Sequence, residues 1–382
     1  NMQISYQAIS KQSNTLAAVQ DIYTQLHDAQ TDVILFFCSS QYDLSVLAKE
    51  MQRVFADVLC IGCTTAGEFA GEGYETNSIT ALGLHRDYFQ VSCRYVENMQ
   101  GFTLIEAQDV MQQLLADMRP KALAPVESQS FIISLLDGLS ALEEEFLITF
   151  DMATKGIPHF GGSAGDDIDL DSTYIYYDGE FRSAAAIVLL VNTTQKFSVF
   201  SVNHVDHSLA KLVVTDADPK TRQVFEINGY PAAEVYADTL NVSVDDLEPE
   251  LFSIHPLAVK VRGEYYIRSI QRVNKDFNSL SFYCAVDVGI VLNEVSLRDI
   301  NEPLANALAE NELHLGKPSF VLGCDCFLRR LEVMTKGTGQ AIAALHRQYN
   351  MIGFNAYGEH VNGVHLNQTF TGVYISQEHF NA

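Results

Sequence analysis

The chain has 382 residues, 47% hydrophobic and 19% charged, a composition typical of a folded globular protein. Its formal net charge is −24, and no basic stretch interrupts the acidic surplus. Such a surface repels phosphate backbones and anionic lipid headgroups, which argues against a nucleic-acid-binding protein, and the length allows two domains.

The chain start and the cysteines indicate a cytoplasmic protein. Asn1 precedes Met2, which we take as the native start, and no charged-then-apolar leader follows. The longest apolar run, 184–191, is far shorter than the ~20 residues that span a bilayer, so we expect no membrane insertion. Seven cysteines, an odd number, are typical of reduced thiols.

Hydrophobic periodicity in the first part of the chain predicts strands and helices that alternate, followed by strands in succession. The predicted elements are strand 33–38, helix 42–55, strands 58–63, 78–84 and 89–96, helix 104–118, strand 130–136, helix 143–154, and strands 173–177, 184–191 and 196–202. The short connection between 78–84 and 89–96 predicts that these two strands pair antiparallel.

An acidic, proline-bearing segment at 216–219 suggests a domain boundary. The predicted elements beyond it are a hairpin-like segment at 225–230, helix 232–240, strands 258–270 and 280–286, helix 304–313, strand 319–326, helix 339–349 and a final hairpin. The pattern predicts an α+β protein of two domains, each a mixed or largely antiparallel sheet covered by helices. We find no internal repeat of solenoid length.

The final hairpin is the most distinctive segment. Asn362-Gly363 lies between runs rich in Gly, Asn, Gln, Thr and aromatic residues, 353–360 and 365–372. Asn-Gly between strand-forming residues predicts a type I′ turn. Because solvent-facing strands usually carry Lys and Glu, these neutral polar side chains indicate either a ligand contact or an unusual solvent face.

Two glycine-rich corners precede it, Gly62-Cys-Thr-Thr-Ala-Gly-Glu68 and Gly161-Gly-Ser-Ala-Gly-Asp-Asp167. Small residues at a strand end let backbone amides approach a ligand. Close packing of a tight turn explains the first corner equally well. The second could form an anion nest or a metal site, but it lacks a phosphate-loop lysine, and we favour a corner that lines a cavity.

These blocks together resemble a known family. The two glycine corners, the segment 224–236, Gly353-Phe-x-x-Tyr-Gly-Glu359 and Asn367-Gln-Thr-x-Thr-Gly372 are similar, in that order along the chain, to the motifs of FIST sensory domains. The resemblance implies a FIST N-like domain at 28–215 and a FIST C-like domain at 220–378. His360 departs from the pattern, where an aliphatic or amide residue is expected.

The resemblance implies an intracellular small-ligand sensor, not an enzyme. We recognise no kinase, cyclase or DNA-binding output, so we expect action in trans on a signalling partner such as a histidine kinase, as in a two-component system. Stand-alone members similar in length sense nitric oxide through haem, which makes haem b the favoured cofactor. An amino-acid or small-metabolite sensor is the alternative, and a homodimer is left open.

The expected ligand-binding residues come from the two corners, the terminal motif and one arginine that could bind a carboxylate in a bidentate manner. They are Thr64, Thr65, Gly161, Gly162, Ser163, Arg268, Tyr357, Glu359, Asn367, Gln368 and Thr369. An ordinary surface ion pair is the other interpretation of Arg268. The expectation is that the corners and the terminal hairpin face one enclosed chamber.

Metal-binding candidates are of two kinds. His360 is the first choice for a haem ligand, ahead of His204, His207, His255 and His365. Cys60-Ile-Gly-Cys63 and Cys324-Asp-Cys326 supply four thiols for zinc or an iron–sulfur redox sensor. Residues three apart on a strand point to opposite faces, however, and buried cysteine often serves only as a small core residue.

Overall fold

The computed structural model describes residues 3–381. Its helices are α1 (Thr15–Leu26), α2 (Leu44–Val54), α3 (Leu104–Met118), α4 (Glu143–Asp151), α5 (Ala232–Thr239), α6 (Pro249–Ile254), α7 (Asn301–Leu315), α8 (Phe327–Lys336) and α9 (Gly339–Tyr349), with 3-10 turns at Arg119–Lys121 and Val244–Asp246. No helix in this part of the chain is long and apolar enough to cross a membrane.

The strands, in chain order, fall on both sides of residue 204. Those before it are β1 (Ser5–Ser10), β2 (Thr31–Ser39), β3 (Leu59–Thr65), β4 (Glu68–Ala70), β5 (Tyr74–Glu75), β6 (Ile79–His85), β7 (Phe89–Val96), β8 (Ser130–Leu136), β9 (His159–Ser163), β10 (Ile175–Tyr177), β11 (Glu180–Arg182), β12 (Ala186–Thr193) and β13 (Gln195–Val202). Those after it are β14 (Val205–Asp218), β15 (Gln223–Ile227), β16 (Tyr230–Pro231), β17 (Leu257–Val261), β18 (Glu264–Arg268), β19 (Ile270–Asn274), β20 (Ser279–Phe282), β21 (Val291–Leu297), β22 (Pro318–Cys326), β23 (Met351–Ala356), β24 (Glu359–Val361), β25 (Val364–Leu366) and β26 (Phe370–His379).

Three six-stranded sheets share one topology. Their orders are β1-β6-β2-β3-β10-β11, β7-β12-β8-β9-β24-β25 and β13-β26-β22-β23-β4-β5. In each sheet the third and fourth strands are parallel and the other neighbours are antiparallel. The mixed α+β fold class is therefore confirmed, and it contains a threefold structural repeat that we did not detect in the sequence.

The three repeats exchange hairpins in a ring. Hairpin β4–β5 follows β3 of the first sheet but pairs with β23 of the third. Hairpin β10–β11 follows β9 of the second sheet but pairs with β3 of the first. Hairpin β24–β25 follows β23 of the third sheet but pairs with β9 of the second. Each sheet is thus completed by a hairpin from a neighbouring repeat. The predicted domain boundaries at 215 and 220 stay predictions.

The core sits between the sheets. Apolar side chains from all three inner faces, such as Phe37, Phe160 and Phe354, form one buried cluster. The outer faces are covered by α1 and α2, by α3 and α4, and by α7 and α9. The helices follow from local chemistry: Asp43, for example, caps α2 through the Val46 N–H while the apolar side of the helix is buried.

Residues 203–300, which we call the insert, separate β13 from α7 in the third repeat. They form a fourth sheet in the order β18-β17-β21-β14-β15-β20-β19, with β16 beside β15. Its two end strands, β18 and β19, are joined through Ser269 alone. Because one residue spans only about 3.5 Å, the sheet must curl until its ends meet.

Several sequence predictions need correction. Segments 78–84 and 89–96 are strands, but β6 pairs with β1 and β2, whereas β7 pairs with β12. The predicted strand 258–270 is the hairpin β17–β18, which turns at positive-φ Arg262 and Gly263. The Asn362-Gly363 turn is confirmed, with φ of 46° and 83°. Its hairpin has only three residues a side, because β23 and β26 belong to another sheet.

Candidate functional site

Three loops meet where the repeats converge, and we call them the central loops: 64–68 at the end of β3, 163–166 at the end of β9 and 355–359 at the end of β23. Each contains a glycine followed by an acidic residue, Glu68, Asp166 or Glu359. Backbone hydrogen bonds join them pairwise: Ala66 N to Asn355 O at 2.9 Å, Gly165 N to Thr64 O at 2.9 Å, and Ser163 N to Gly358 O at 2.8 Å. The sequence-predicted corners therefore come together, but they pack against one another instead of enclosing a common chamber.

Glu68 is fully buried in the first central loop. Its carboxyl group lies between the hydroxyls of Thr65 and Ser78, each of which is hydrogen-bonded to one of its oxygens. Burial raises the pKa of Glu68 to about 8, an effect that the two hydroxyls only partly offset. At neutral pH this side chain is mostly protonated, so it contributes little negative charge.

Glu359 occupies the equivalent position in the third central loop. One oxygen accepts from both the N–H and the hydroxyl of Thr369 at 3.0 Å, while Oε2 has no partner. Burial raises its pKa well above the usual range for a carboxyl. Tyr357, two residues earlier, donates to Asp166 across the loops. Tyr357 is thus engaged within the protein, and Glu359 is engaged through one of its two oxygens.

Of the remaining corner residues, Thr64, Gly161 and Gly162 are also engaged within the protein, whereas the Ser163 side chain is not. Thr64 exchanges hydrogen bonds with the backbone of Tyr174. Gly161 and Gly162 lie within β9, and a Cβ at Gly161 would collide with Ser134 O and the His360 ring. The Ser163 hydroxyl is buried without a partner.

The amides of the terminal motif bind the insert. Asn367 Oδ1 accepts from Ser269 N at 2.9 Å, and Gln368 Oε1 accepts from the Ser269 hydroxyl at 3.0 Å. Gln368 Nε2 donates to Ser253 O at 3.0 Å. Gln368 adopts φ of 49°, a strained value for this residue type, which these bonds help to hold. These neutral side chains fasten the curled sheet to the threefold core.

Arg268 lies in the wall of a cavity of about 760 Å³ within the insert. Lys211, Lys260, Tyr265 and Asn293 also line it. The Lys260 ammonium lies 5.5 Å from the centre of the Tyr265 ring, a cation–π distance. Within residues 3–381, no carboxylate lies within 4.0 Å of Lys211, Lys260 or the Arg268 guanidinium. The surface-ion-pair interpretation of Arg268 is therefore not supported, and the cavity is basic on a strongly acidic protein.

His360 does not fit a haem ligand. Its side chain is fully buried, and Nε2 lies 2.6 Å from the Ser134 hydroxyl, which also contacts His159 Nε2 at 2.6 Å. Burial holds the pKa of His360 well below its usual range, so the ring is neutral. Although Nδ1 has no partner, a macrocycle would have to displace packed side chains to reach either nitrogen.

The four thiols are not assembled into one site. Cys60 packs with α1 and α2 on the outer face of the first sheet, Cys63 and Cys324 lie in the shared inner core, and Cys326 lies in a third cluster. Burial raises the pKa of each thiol. No group of three or more His, Cys, Asp or Glu in the described chain could hold a metal ion. The arrangement fits core packing better than a zinc or iron–sulfur site.

Sequence reasoning missed Lys211, Lys260 and a second arginine, Arg330, which is almost fully buried in α8. Lys260 and Tyr265 face each other across the β17–β18 hairpin, so a correct hairpin prediction would have paired them. Helix α8 itself was not predicted, and nothing in its sequence marks Arg330 as the unpaired neighbour of Arg329.

Comparison with known proteins places these features in a family. The FIST N domain family matches residues 32–230, and the FIST C domain family matches residues 232–362. No curated protein matches. A solved cyanuric acid hydrolase is similar over 97% of this chain and 98% of its own, at 9% identity and a TM-score of 0.37, too weak a likeness to inform fold or activity. The two family matches together cover most of the chain, which therefore belongs to the FIST domain family.

Proposed function

We propose that this protein is a sensor that binds a small metabolite with two or more negative charges in the basic cavity of the insert. FIST domains are generally sensory domains that bind ligands. The cavity around Arg268 is the observation that carries the choice of site and ligand class. Dicarboxylates, acidic amino acids among them, have a suitable charge and fit a volume of about 760 Å³.

The charge distribution supports an anionic ligand. The protein has a net charge of −24, yet three cationic residues line this cavity, and Asp287 is the acidic residue that lines it. Arg268 can bind one carboxylate through two parallel N–H donors, and the lysines can act as point charges for a second. Coulomb attraction at 4 Å amounts to about 4 kcal/mol near a protein surface, so a second ligand charge adds substantial affinity.

The position of Arg268 supports transmission of a signal. Ser269, the next residue, is held by Asn367 and Gln368 of the core. Thr369 follows and binds Glu359 of the third central loop. A ligand that shifts β18 therefore acts directly on the join between the insert and the core. A protein partner such as a histidine kinase would read that shift; this partner is part of the proposal.

A thermal-shift panel tests the proposal. Succinate, glutarate, L-glutamate, citrate, acetate and free haem would be compared at equal ionic strength. A di- or tricarboxylate at 100 times its Kd should stabilise the protein by about 2.7 kcal/mol, a shift of several degrees in Tm. Arg268→Gln should lose the shift.

Arg262→Gln is the matched control, because Arg262 lies exposed in the adjacent turn and does not line the cavity. It removes the same charge and should keep the shift. Equal shifts in both variants, or none with any multivalent anion, would disprove the proposed site.

A further inference from the structure

A second cavity, of about 530 Å³, lies between hairpin β4–β5 and helices α8 and α9. Arg330, on α8, lines its wall together with Tyr74. The apolar part of the wall comes from Val333, Ile342 and Ala343. This cavity belongs to the threefold core and shares no lining residue with the one around Arg268.

Arg330 is a nearly buried cation without a paired anion. It is 7% exposed, and no carboxylate in residues 3–381 lies within 4.0 Å of its guanidinium. Nη2 donates to Ala66 O at 2.8 Å, Nη1 has only the sulfur of Met334 at 3.3 Å, and Nε has no partner. Leaving a buried guanidinium uncompensated is costly, which favours any anion that can reach it.

The buried acidic groups of this region are engaged elsewhere, and Asp167, whose charge also reaches Arg330, accepts hydrogen bonds from the hydroxyls of Ser39 and Ser40. Asp325 binds the neighbouring Arg329 at 2.7 Å and accepts from Tyr74. Glu68 is held by two hydroxyls and is mostly protonated at neutral pH. The charge of Arg330 is therefore still available to a ligand.

Close packing beside Gly67, next to this cavity, leaves further polar atoms without partners. A Cβ built there would meet Asn355 Oδ1 and, at 2.9 Å, Arg330 Nε, and neither of these atoms has a hydrogen-bond partner. Two unpartnered polar atoms, one donor and one acceptor, thus lie next to each other at the central loops. Gly67 and Asn355 do not line the cavity, so these atoms show how incompletely the protein itself compensates Arg330.

We infer that this cavity binds a monocarboxylate with an apolar body, its carboxylate on Arg330 and its body against Val333, Ile342 and Ala343. Glu72 and Glu75 line the same cavity and repel ligands with additional negative charge. The inference is independent of the proposed function, because it concerns another cavity and another ligand class. Short-chain fatty acids and aromatic acids share the required chemistry.

Isothermal titration calorimetry with hexanoate and with benzoate tests the site on the full chain. Arg330→Gln should weaken binding of the preferred acid at least tenfold, since a charged hydrogen-bond pair contributes about 1.5–3 kcal/mol. Ala343→Leu should weaken binding as strongly by filling the cavity without touching Arg330. Arg347→Gln, which removes an exposed arginine of α9, should bind like the wild type.

Circular dichroism checks that Arg330→Gln is folded. If Arg330→Gln is unfolded, the binding measured for Ala343→Leu decides the test. The inference is overturned if neither acid binds the wild type, or if Ala343→Leu binds as the wild type does. It is also overturned if succinate or phosphate binds this cavity as tightly as the monocarboxylates, since the acidic lining should exclude them. A preference for hexanoate over benzoate, or the reverse, supports the site and identifies the shape of the body.

Discussion

Glu68→Gln should remove a large part of the pH dependence of stability. In the wild type, burial raises the pKa of Glu68 to about 8, compared with 4.5 for an exposed glutamate. The folded state therefore holds a proton that the unfolded chain releases above pH 4.5. This contribution to stability is fully present below pH 4.5, is lost as the pH rises towards 8, and then levels off.

The magnitude follows from the shift. Each pH unit in this window costs the folded state about 1.4 kcal/mol, so between pH 5 and pH 7.5 the wild type should lose about 3 kcal/mol relative to Glu68→Gln. The amide can replace the protonated carboxyl, because it donates to one of the Thr65 and Ser78 hydroxyls and accepts from the other.

Urea denaturation at half-unit pH intervals measures the effect. Subtracting the unfolding free energy of the wild type from that of the variant at each pH cancels the contributions of the other titrating groups. Glu72→Gln, which changes an exposed carboxyl nearby, should run parallel to the wild type. Parallel curves for Glu68→Gln as well would show that Glu68 is ionised in the folded state, and the burial argument would fail.

Three further substitutions test the packing. Gly161→Ala should cost at least about 2 kcal/mol of unfolding free energy or prevent folding, because its Cβ collides with a neighbouring backbone carbonyl. The control Gly339→Ala places its Cβ in open space. Chemical denaturation compares the two variants, and equal stabilities would refute the packing of β9. Asn367→Ala leaves a buried N–H of the insert unpaired and should cost about 1–3 kcal/mol of unfolding free energy, with faster hydrogen exchange at 257–274. Unchanged exchange would show that the Asn367 side chain does not hold the insert to the core. Asp325→Asn breaks a fully buried ion pair with Arg329 and should cost about 3–5 kcal/mol in a urea titration; a loss below 1 kcal/mol would contradict the pairing.

Helices, strands and turns were predicted well from the sequence where their signals come from residues close together in the chain. The buried run 33–38 and the following helix appear as β2 and α2, and the Asn362-Gly363 turn has the predicted geometry. Such signals depend only on residues close in the chain: hydrophobic period, capping and turn chemistry.

The threefold repeat could not be predicted because its signal is small and interrupted. The repeats share little more than a glycine and an acid at Glu68, Asp166 and Glu359, and the insert lengthens the third one. The expectation that consecutive strands pair also fails at β6 and β7, because β6 ends the first repeat and β7 begins the second.

The candidate site was predicted only in part. Arg268 was among the expected ligand-binding residues, and it lines the cavity of about 760 Å³ in the insert. Asn367 and Gln368 were expected to contact a ligand, yet they bind Ser269, the residue next to Arg268. Composition shows that a polar side chain needs a partner; only the fold decides whether that partner is a ligand or the protein backbone.

Hydrogen–deuterium exchange with and without succinate or L-glutamate tests the central claim, that the basic cavity of the insert is the ligand site. We predict slower exchange in peptides from 257–268 and 285–293 of the wild type, absent in Arg268→Gln and retained in Arg262→Gln. Unchanged exchange in both segments at saturating concentrations of each anion, or protection confined to the threefold core, would contradict the account.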